Sequence, residues 1–208
     1  MTTTRRYEQK LRADTAEETR RRILDGVAQR LREAPTEPVS LDQVARLARV
    51  ARSTIYVVFG SRAGLFDAFV DDLWARTGLP ALTMAVSDPD ARVHLRAGIT
   101  AASRMYAADR DVYRVLFSMA QLDPRSVGGA VQKMEGERSG GMAYLARRLD
   151  EDGLLRDGLT VDAAIDRLWV LLSFDALDLL LTGRGMDVDA AIEVLIDMAE
   201  HMLYTPGS

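Results

Sequence analysis

From about Thr15 onward, apolar residues return every three or four positions, the spacing that lays them along one face of a helix. No segment alternates apolar and polar residues between hairpin turns, so the pattern predicts an all-α chain of about nine helices. The first, near 16–34, puts Ile23, Leu24, Val27, Ala28 and Leu31 on one face, arginines on the other, and stops before Pro35 and Pro38. Two short helices come next, near 41–48 and 52–59, with Ser40 at the N-cap position of the first. Ser61 opens a longer helix near 62–77, with Leu65, Phe66, Phe69, Val70 and Leu73 inward and a stop at Gly78 and Pro80. Further helices are predicted near 88–107, 110–122, 139–152, 160–183 and 187–204. Gly128, Gly129, Gly136, Gly140 and Gly141 each weaken a helix by up to ~1 kcal/mol relative to alanine, so the stretch from Asp123 to Gly141 is expected to be loose or broken.

Composition narrows the chemistry. With 48% hydrophobic and 28% charged residues in 208, the chain can bury a core, which excludes a disordered or collagen-like polymer. Its apolar runs are far shorter than the roughly 20 residues that span a bilayer. No apolar stretch follows the basic residues of the start, so a secretory signal is not expected and the cytoplasm is the expected address. The absence of cysteine removes disulfides, thiolate catalysis and Cys-ligated zinc. His94 and His201, far apart in sequence, argue against a histidine metal centre, and no cofactor is expected.

Charge is divided unevenly. Residues 1–62 hold 13 Lys and Arg against 8 Asp and Glu, a balance of +5, whereas the remainder holds 14 against 23, a balance of −9. A basic head on an acidic body is the pattern expected when one end meets a polyanion. Arg5, Arg6, Lys10 and Arg12 precede the first predicted helix and form a basic arm, suited either to the minor groove and nearby phosphates or to simple solvation.

The segment from Ser40 to Phe59 has helix-turn-helix spacing. Val44, Ala45, Leu47 or Ala48, Val50, Ile55 and Phe59 are placed to lock the two helices together, leaving Arg52, Ser53 and Tyr56 on the outer side of the second. A helix of that width enters the major groove, where a guanidinium can pair bidentately with guanine. Ser61 and Arg62, at the start of the next helix, suit a phosphate oxygen.

These residues resemble the TetR-type (tetracycline-repressor-like) family of one-component transcriptional regulators. Val44-Ala45, Val50, Thr54-Ile55-Tyr56, Phe59, Ser61-Arg62 and Leu65 match its helix-turn-helix pattern. The run from Gly153 to Thr160 and from Ala163 to Trp169 is similar to its regulatory half. The resemblance implies phosphate contacts from Thr54, Tyr56 and Arg62 and base-reading positions at Arg52 and Ser53, within a DNA-facing set that also takes in Ser40, Gln43 and Arg49. Three departures stand out: Arg49 replaces a turn glycine, Ala51 a capping serine, and Val58 a ring or imidazole. A left-handed Arg49 would cost on the order of 1–2 kcal/mol and the missing cap about 1 kcal/mol.

The same resemblance implies a domain plan: a basic arm at 1–15, a helix-turn-helix DNA-binding domain at 16–62 extending through a linking helix to about 78, and a larger helical ligand-binding and dimerisation domain at 79–208. Its implied function is a ligand-responsive repressor that binds double-stranded DNA at an inverted repeat as a homodimer and is released by a small-molecule effector. Trp74, Met84, His94, Met105, Tyr106, Tyr113, Phe117, Met119, Trp169 and Phe174 are candidates for a pocket, or for ordinary core. Asp175 and Asp178, within the apolar run from Leu168 to Leu181, are candidates either for a cationic ligand's counter-charge or for ion pairs with a neighbouring Arg. On the last two helices, Leu172, Leu179, Ile192, Leu195, Ile196, Ala199, Met202 and Leu203 make an apolar surface wide enough to suggest a dimer interface. Two alternatives remain: a helical interaction or ligand-binding protein with lost or non-specific DNA binding, and an all-helical enzyme using Asp67, Asp71 and Asp72 with Mg²⁺.

Overall fold

The computed structural model describes the backbone of residues 2–122, 127 and 129–204, with side chains from Asp14 onward in those ranges. Among the described residues the chain is all-α, with one isolated antiparallel bridge between Leu155 and Tyr204. It divides into two compact units, Met1–Asp72 with Val115–Val131, and Leu73–Arg114 with Gln132–Ser208.

The first unit opens with α1 (Thr2–Glu33), longer than the predicted 16–34, so the backbone of residues 2–15 continues the helix; the side chains of Arg5, Arg6, Lys10 and Arg12 lie outside those described. Ile23, Leu24, Val27, Ala28 and Leu31 are buried, as the spacing predicts. α1 packs on α2 (Leu41–Ala48) at close range because Gly26 lacks a side chain: a Cβ there would stand 3.3 Å from the Val44 carbonyl oxygen. The buried Arg30 guanidinium ties the end of α1 to the 34–38 loop and to α2. Its Nε donates to Gln43 Oε1 (2.7 Å), Nη1 to the Ala34 carbonyl (2.9 Å), and Nη2 to Glu37 Oε2 (2.8 Å) and the Pro38 carbonyl (3.3 Å). α3 (Arg52–Phe59) packs on α2, and α4 (Arg62–Thr77) starts where Ser61 Oγ accepts from the Gly64 N–H at 3.0 Å.

In the second unit, Pro80 does not end helical structure; it sits in the first turn of α5 (Leu79–Val86), where its missing N–H has no intrahelical partner to lose. Asp90 caps α6 (Ala91–Ala108) by accepting from the Arg92 and Val93 N–H groups, and α7 (Arg110–Leu122) passes from this unit into the first after Arg114. α8 (Ala130–Glu151) overturns the expectation of a broken segment as far as the described residues reach: Gly136, Gly140 and Gly141 lie within one helix, held by buried Met134, Met142, Leu145, Ala146 and Leu149. Residues 123–126 and 128 lie outside the described residues.

The continuous helix expected at 160–183 is three pieces. α9 (Val161–Leu171) is capped by Thr160, the chain leaves the helix at Leu172, and Ser173 Oγ caps α10 (Phe174–Asp178) by accepting from Ala176 N–H at 3.1 Å. A π-helical turn, Leu179–Gly183, precedes α11 (Val188–Leu203), whose cap is Asp187. α11 packs on α6 and α9, which corrects the expectation for the final helices: Ile192, Leu195, Ile196, Ala199 and Leu203 are buried within the chain rather than offered to a partner.

Replacing Arg30 by Met should destabilise the protein by about 1–3 kcal/mol, because the buried guanidinium's hydrogen bonds to Gln43, Ala34, Glu37 and Pro38 are lost together. Urea denaturation checks it, and an unchanged midpoint contradicts the tie assigned to this guanidinium.

Candidate nucleic-acid interface and cavity

The turn between α2 and α3 is set by Arg49, the one non-glycine with positive φ among the described residues (φ 55°, ψ 47°). Its N–H reaches the Arg46 carbonyl at 3.1 Å and the Val50 N–H reaches the Ala45 carbonyl at 3.0 Å, closing α2 in a left-handed cap. Val44, Ala45, Ala48 and Ile55 are buried between the helices, with Leu47, Val50 and Phe59 half-buried, so Ala48 rather than Leu47 takes the inner place. Arg20 of α1 lies 4.9 Å over the Phe59 ring.

This packing leaves Arg52, Ser53, Tyr56 and Val57 exposed on α3. Arg52 is oriented by its neighbours: Nη1 donates to Asp42 Oδ2 at 3.0 Å and Nη2 reaches Tyr56 Oη at 3.5 Å. Val57, 85% exposed, carries no polar group that would mark it in the sequence. Its signal was position, one residue past Tyr56 and two past the buried Ile55. Arg49 is exposed and Thr54 half-buried. Other members of the DNA-facing set are engaged within the protein. Gln43 accepts from Arg30, and Arg62 donates to the Val39 carbonyl at 2.7 Å with its guanidinium 5.1 Å over the Phe66 ring. Ser40 occupies the N-cap position of α2 but its side chain makes no capping hydrogen bond, a correction to its expected role; Ala51 occupies that of α3 with none to offer.

The second unit holds a cavity of about 370 Å³, within the range of small-molecule sites, walled by α5, α6 and α8 together with Trp74 and Leu172. Of the ten residues that the sequence offers for a pocket, Trp74, His94, Met105 and Tyr106 line it. Tyr113 and Phe174 instead back Tyr106 in an aromatic cluster, with ring centroids 5.1 and 5.6 Å from it, and Tyr113 Oη pairs with Thr77 Oγ1 at 2.9 Å. Burial pushes the Tyr113 phenol up to about 12, against the lowering effect of the Thr77 hydrogen bond, so the cluster is neutral. Phe117 belongs to the first unit, and Trp169 lies outside the lining, its ring stacked 3.6 Å under the Arg138 guanidinium.

Neither carboxylate of the apolar run reaches the cavity. Asp175 is exposed, and Asp178 is held by Arg114 at 2.6 Å, with Arg110 at 3.8 Å and a hydrogen bond from Thr182. Burial alone would raise the Asp178 pKa, but these hydrogen bonds and charges outweigh it and hold the group below the ordinary carboxylate range. Met84 is exposed, and Leu172, expected at a dimer interface, lines the cavity instead. Leu179, of the same expected interface, is 68% exposed and Met202 half-buried.

His94 is buried to 3% exposure, with Nδ1 3.0 Å from Arg148 Nη1. Burial, and then the Arg148 charge, lower its pKa, while Asp88 opposes them. Among the described residues no group of three or more His, Asp or Glu is placed to hold a metal ion, and no helix is long and apolar enough to cross a membrane.

Residues 23–69, which contain both helices of this motif, match the family model described as bacterial regulatory proteins, tetR family. The match covers the helix-turn-helix segment, 47 of the 208 residues. That segment is similar to the DNA-binding domain of those regulators. Solved structures share the TetR fold over nearly the whole chain. Native NalD, the secondary repressor of the MexAB-OprM multidrug efflux pump in Pseudomonas aeruginosa, is 23% identical with a TM-score of 0.73, covering 93% of this chain and 100% of its own. A TetR-like transcriptional regulator from Rhodococcus sp. RHA1 is 22% identical with a TM-score of 0.63, over 87% and 93% of the two chains. SmeT, in a complex with triclosan, is 19% identical with a TM-score of 0.68, over 91% and 93%. No curated protein matches the chain.

Within this turn, Arg49→Gly should stabilise the protein by about 1 kcal/mol, because glycine adopts the left-handed conformation without the Cβ penalty. A chemical-denaturation midpoint that falls instead would show the arginine side chain to outweigh that strain.

His94 makes a pH prediction. Below the ordinary histidine value of about 6.5, the unfolded chain takes a proton that the buried imidazole refuses, so the unfolded state binds more protons and stability falls as pH drops through that value. Comparing unfolding midpoints near pH 7.5 and 5.5 should show a larger loss for the wild type than for His94→Gln; equal losses would refute the assignment.

Proposed function

We propose that the protein is a ligand-responsive repressor that binds an inverted-repeat operator as a homodimer and lets go when a small molecule fills its cavity. The observation that carries this reading is the pairing, on one chain, of an exposed reading helix with an apolar cavity of about 370 Å³ in the other unit. α4 is the first covalent link between them: Ser61 and Arg62 begin it beside the motif, and Trp74 near its end belongs to the cavity wall. NalD, a repressor, and SmeT, with a bound small molecule, support the reading by analogy of fold.

On the DNA side, Arg52 reads a guanine edge while Asp42 steadies its guanidinium, Ser53 stands beside it, and Val57 meets a thymine methyl. Tyr56 and Thr54 take phosphates, and Arg49 adds a cation near them. Arg62 serves this surface mainly from within, by fixing the start of α4 to the Val39 carbonyl. For pairing, the apolar side chains still uncovered near the C-terminal helices are Trp169, Val170, Leu179 and Met198, and these replace the buried leucines and isoleucines as the interface set.

The test is DNA binding by fluorescence anisotropy, on a site obtained by selection from random sequence. Arg52→Ala should lose about 1–3 kcal/mol on that site, relax the preference at one base pair, and leave binding to scrambled DNA nearly unchanged. Equal losses on both DNAs would reduce Arg52 to a phosphate contact.

A further inference from the structure

Resting on the reading of the cavity as an effector site, we propose that it selects a neutral, mainly apolar molecule bearing one hydrogen-bond acceptor, and that the Nε2–H of His94 is the donor that recognises it.

The cavity wall has little to offer a charged ligand. Its surface is dominated by Leu, Ile, Val and Met side chains, and most of its polar groups are already engaged. Thr83 Oγ1 donates to the Leu79 carbonyl at 3.0 Å and Ser87 Oγ to the Thr83 carbonyl at 2.8 Å. The Arg138 guanidinium makes two hydrogen bonds to Glu135, at 3.1 and 2.7 Å, and a third to the Trp169 carbonyl at 2.8 Å, so it offers little to an anion. Glu137, an exposed carboxylate of the lining, repels one. Trp74 Nε1 has no hydrogen-bond partner among the described residues, but the atom is sealed within the wall.

His94 is different. Arg148 Nη1 stands 3.0 Å from Nδ1, and a guanidinium only donates, so Nδ1 is the acceptor. Arg148 is itself anchored by a hydrogen bond to the Pro89 carbonyl at 2.6 Å. The single proton of the neutral ring therefore resides on Nε2. Nε2 adjoins Cδ2, and Cδ2 lies 3.7 Å from the point where a Cβ of Gly98 would stand; Gly98 also lines the cavity and has no side chain to cover this edge. Among the described residues Nε2 has no hydrogen-bond partner. A fixed N–H donor in an apolar wall favours a carbonyl or ether oxygen over a hydrocarbon, and it opposes a cation.

Four probes of one shape test this: 2-acetylnaphthalene, its isostere 2-isopropenylnaphthalene, 2-naphthoate and 2-naphthyltrimethylammonium. Binding to the full chain is measured by calorimetry, and release of the selected DNA site by anisotropy. The ketone should bind about tenfold more tightly than the alkene, the worth of one net hydrogen bond, and more tightly than either ion. His94→Gln, whose amide can accept from Arg148 and still donate, should keep that advantage. His94→Leu should lose it while binding the alkene as the wild type does, which also shows the variant to be folded. Equal binding of ketone and alkene, an advantage that survives His94→Leu, or tightest binding of an ion overturns the proposal while leaving an effector site in place. Selective ketone binding without DNA release supports the ligand class and removes the effector reading. No binding of any probe overturns both.

Discussion

The reading surface depends on how α2 ends. Arg49 in the left-handed region lets the Arg49 and Val50 N–H groups close back onto the Arg46 and Ala45 carbonyls, and the chain leaves in the direction that packs α3 on α2 with Ile55 buried. Had α2 continued by one turn, α3 would not pack on it in this way, and Arg52, Ser53 and Tyr56 would not be turned outward together. An arginine held where glycine is at ease stores strain of on the order of 1–2 kcal/mol. The packed residues around it, and the Arg30 ties to the 34–38 loop and Gln43, over-determine the turn.

In the second unit, polar groups are satisfied early and locally. Asp90, Thr160, Ser173 and Asp187 each cap a helix with their own side chain, and Arg114 and Arg138 are taken up by Asp178 and Glu135. What remains around the cavity is mainly apolar surface, with the exposed Glu137 carboxylate and the imidazole held by Arg148. Under the proposed reading, such a site would discriminate by shape and by one directed hydrogen bond, because desolvating an unmatched polar group there is costly.

Legibility in the sequence tracked the strength of local signals. The helix-turn-helix was readable because Pro38, Ser40, Gly60 and Ser61 punctuate short apolar repeats, and the left-handed residue could be named from the motif alone. α5 is hidden in the sequence because Pro80 reads as a stop, although proline is equally at home in a first turn. α8 is longer than its sequence suggests because the burial of Met134 and Met142 overrides the low helix propensity of its glycines. Periodicity could not show that Ile192, Leu195 and Ile196 meet helices of their own chain, since an apolar stripe looks the same whether its partner is internal or external. For the cavity, residue type identified Trp74, His94, Met105 and Tyr106, but only tertiary structure separates them from Tyr113 and Phe174 behind the wall. Val57 carried no polar label, and Arg30 no mark of burial.

That this chain is a DNA reader is tested most directly by the salt dependence of wild-type binding to a selected site and to a scrambled one. A dimer neutralising roughly 6–8 phosphates predicts a log–log slope of about −5 to −7 together with tighter binding to the selected site at every salt concentration. A shallow slope with no preference between the two DNAs would contradict a DNA-reading role.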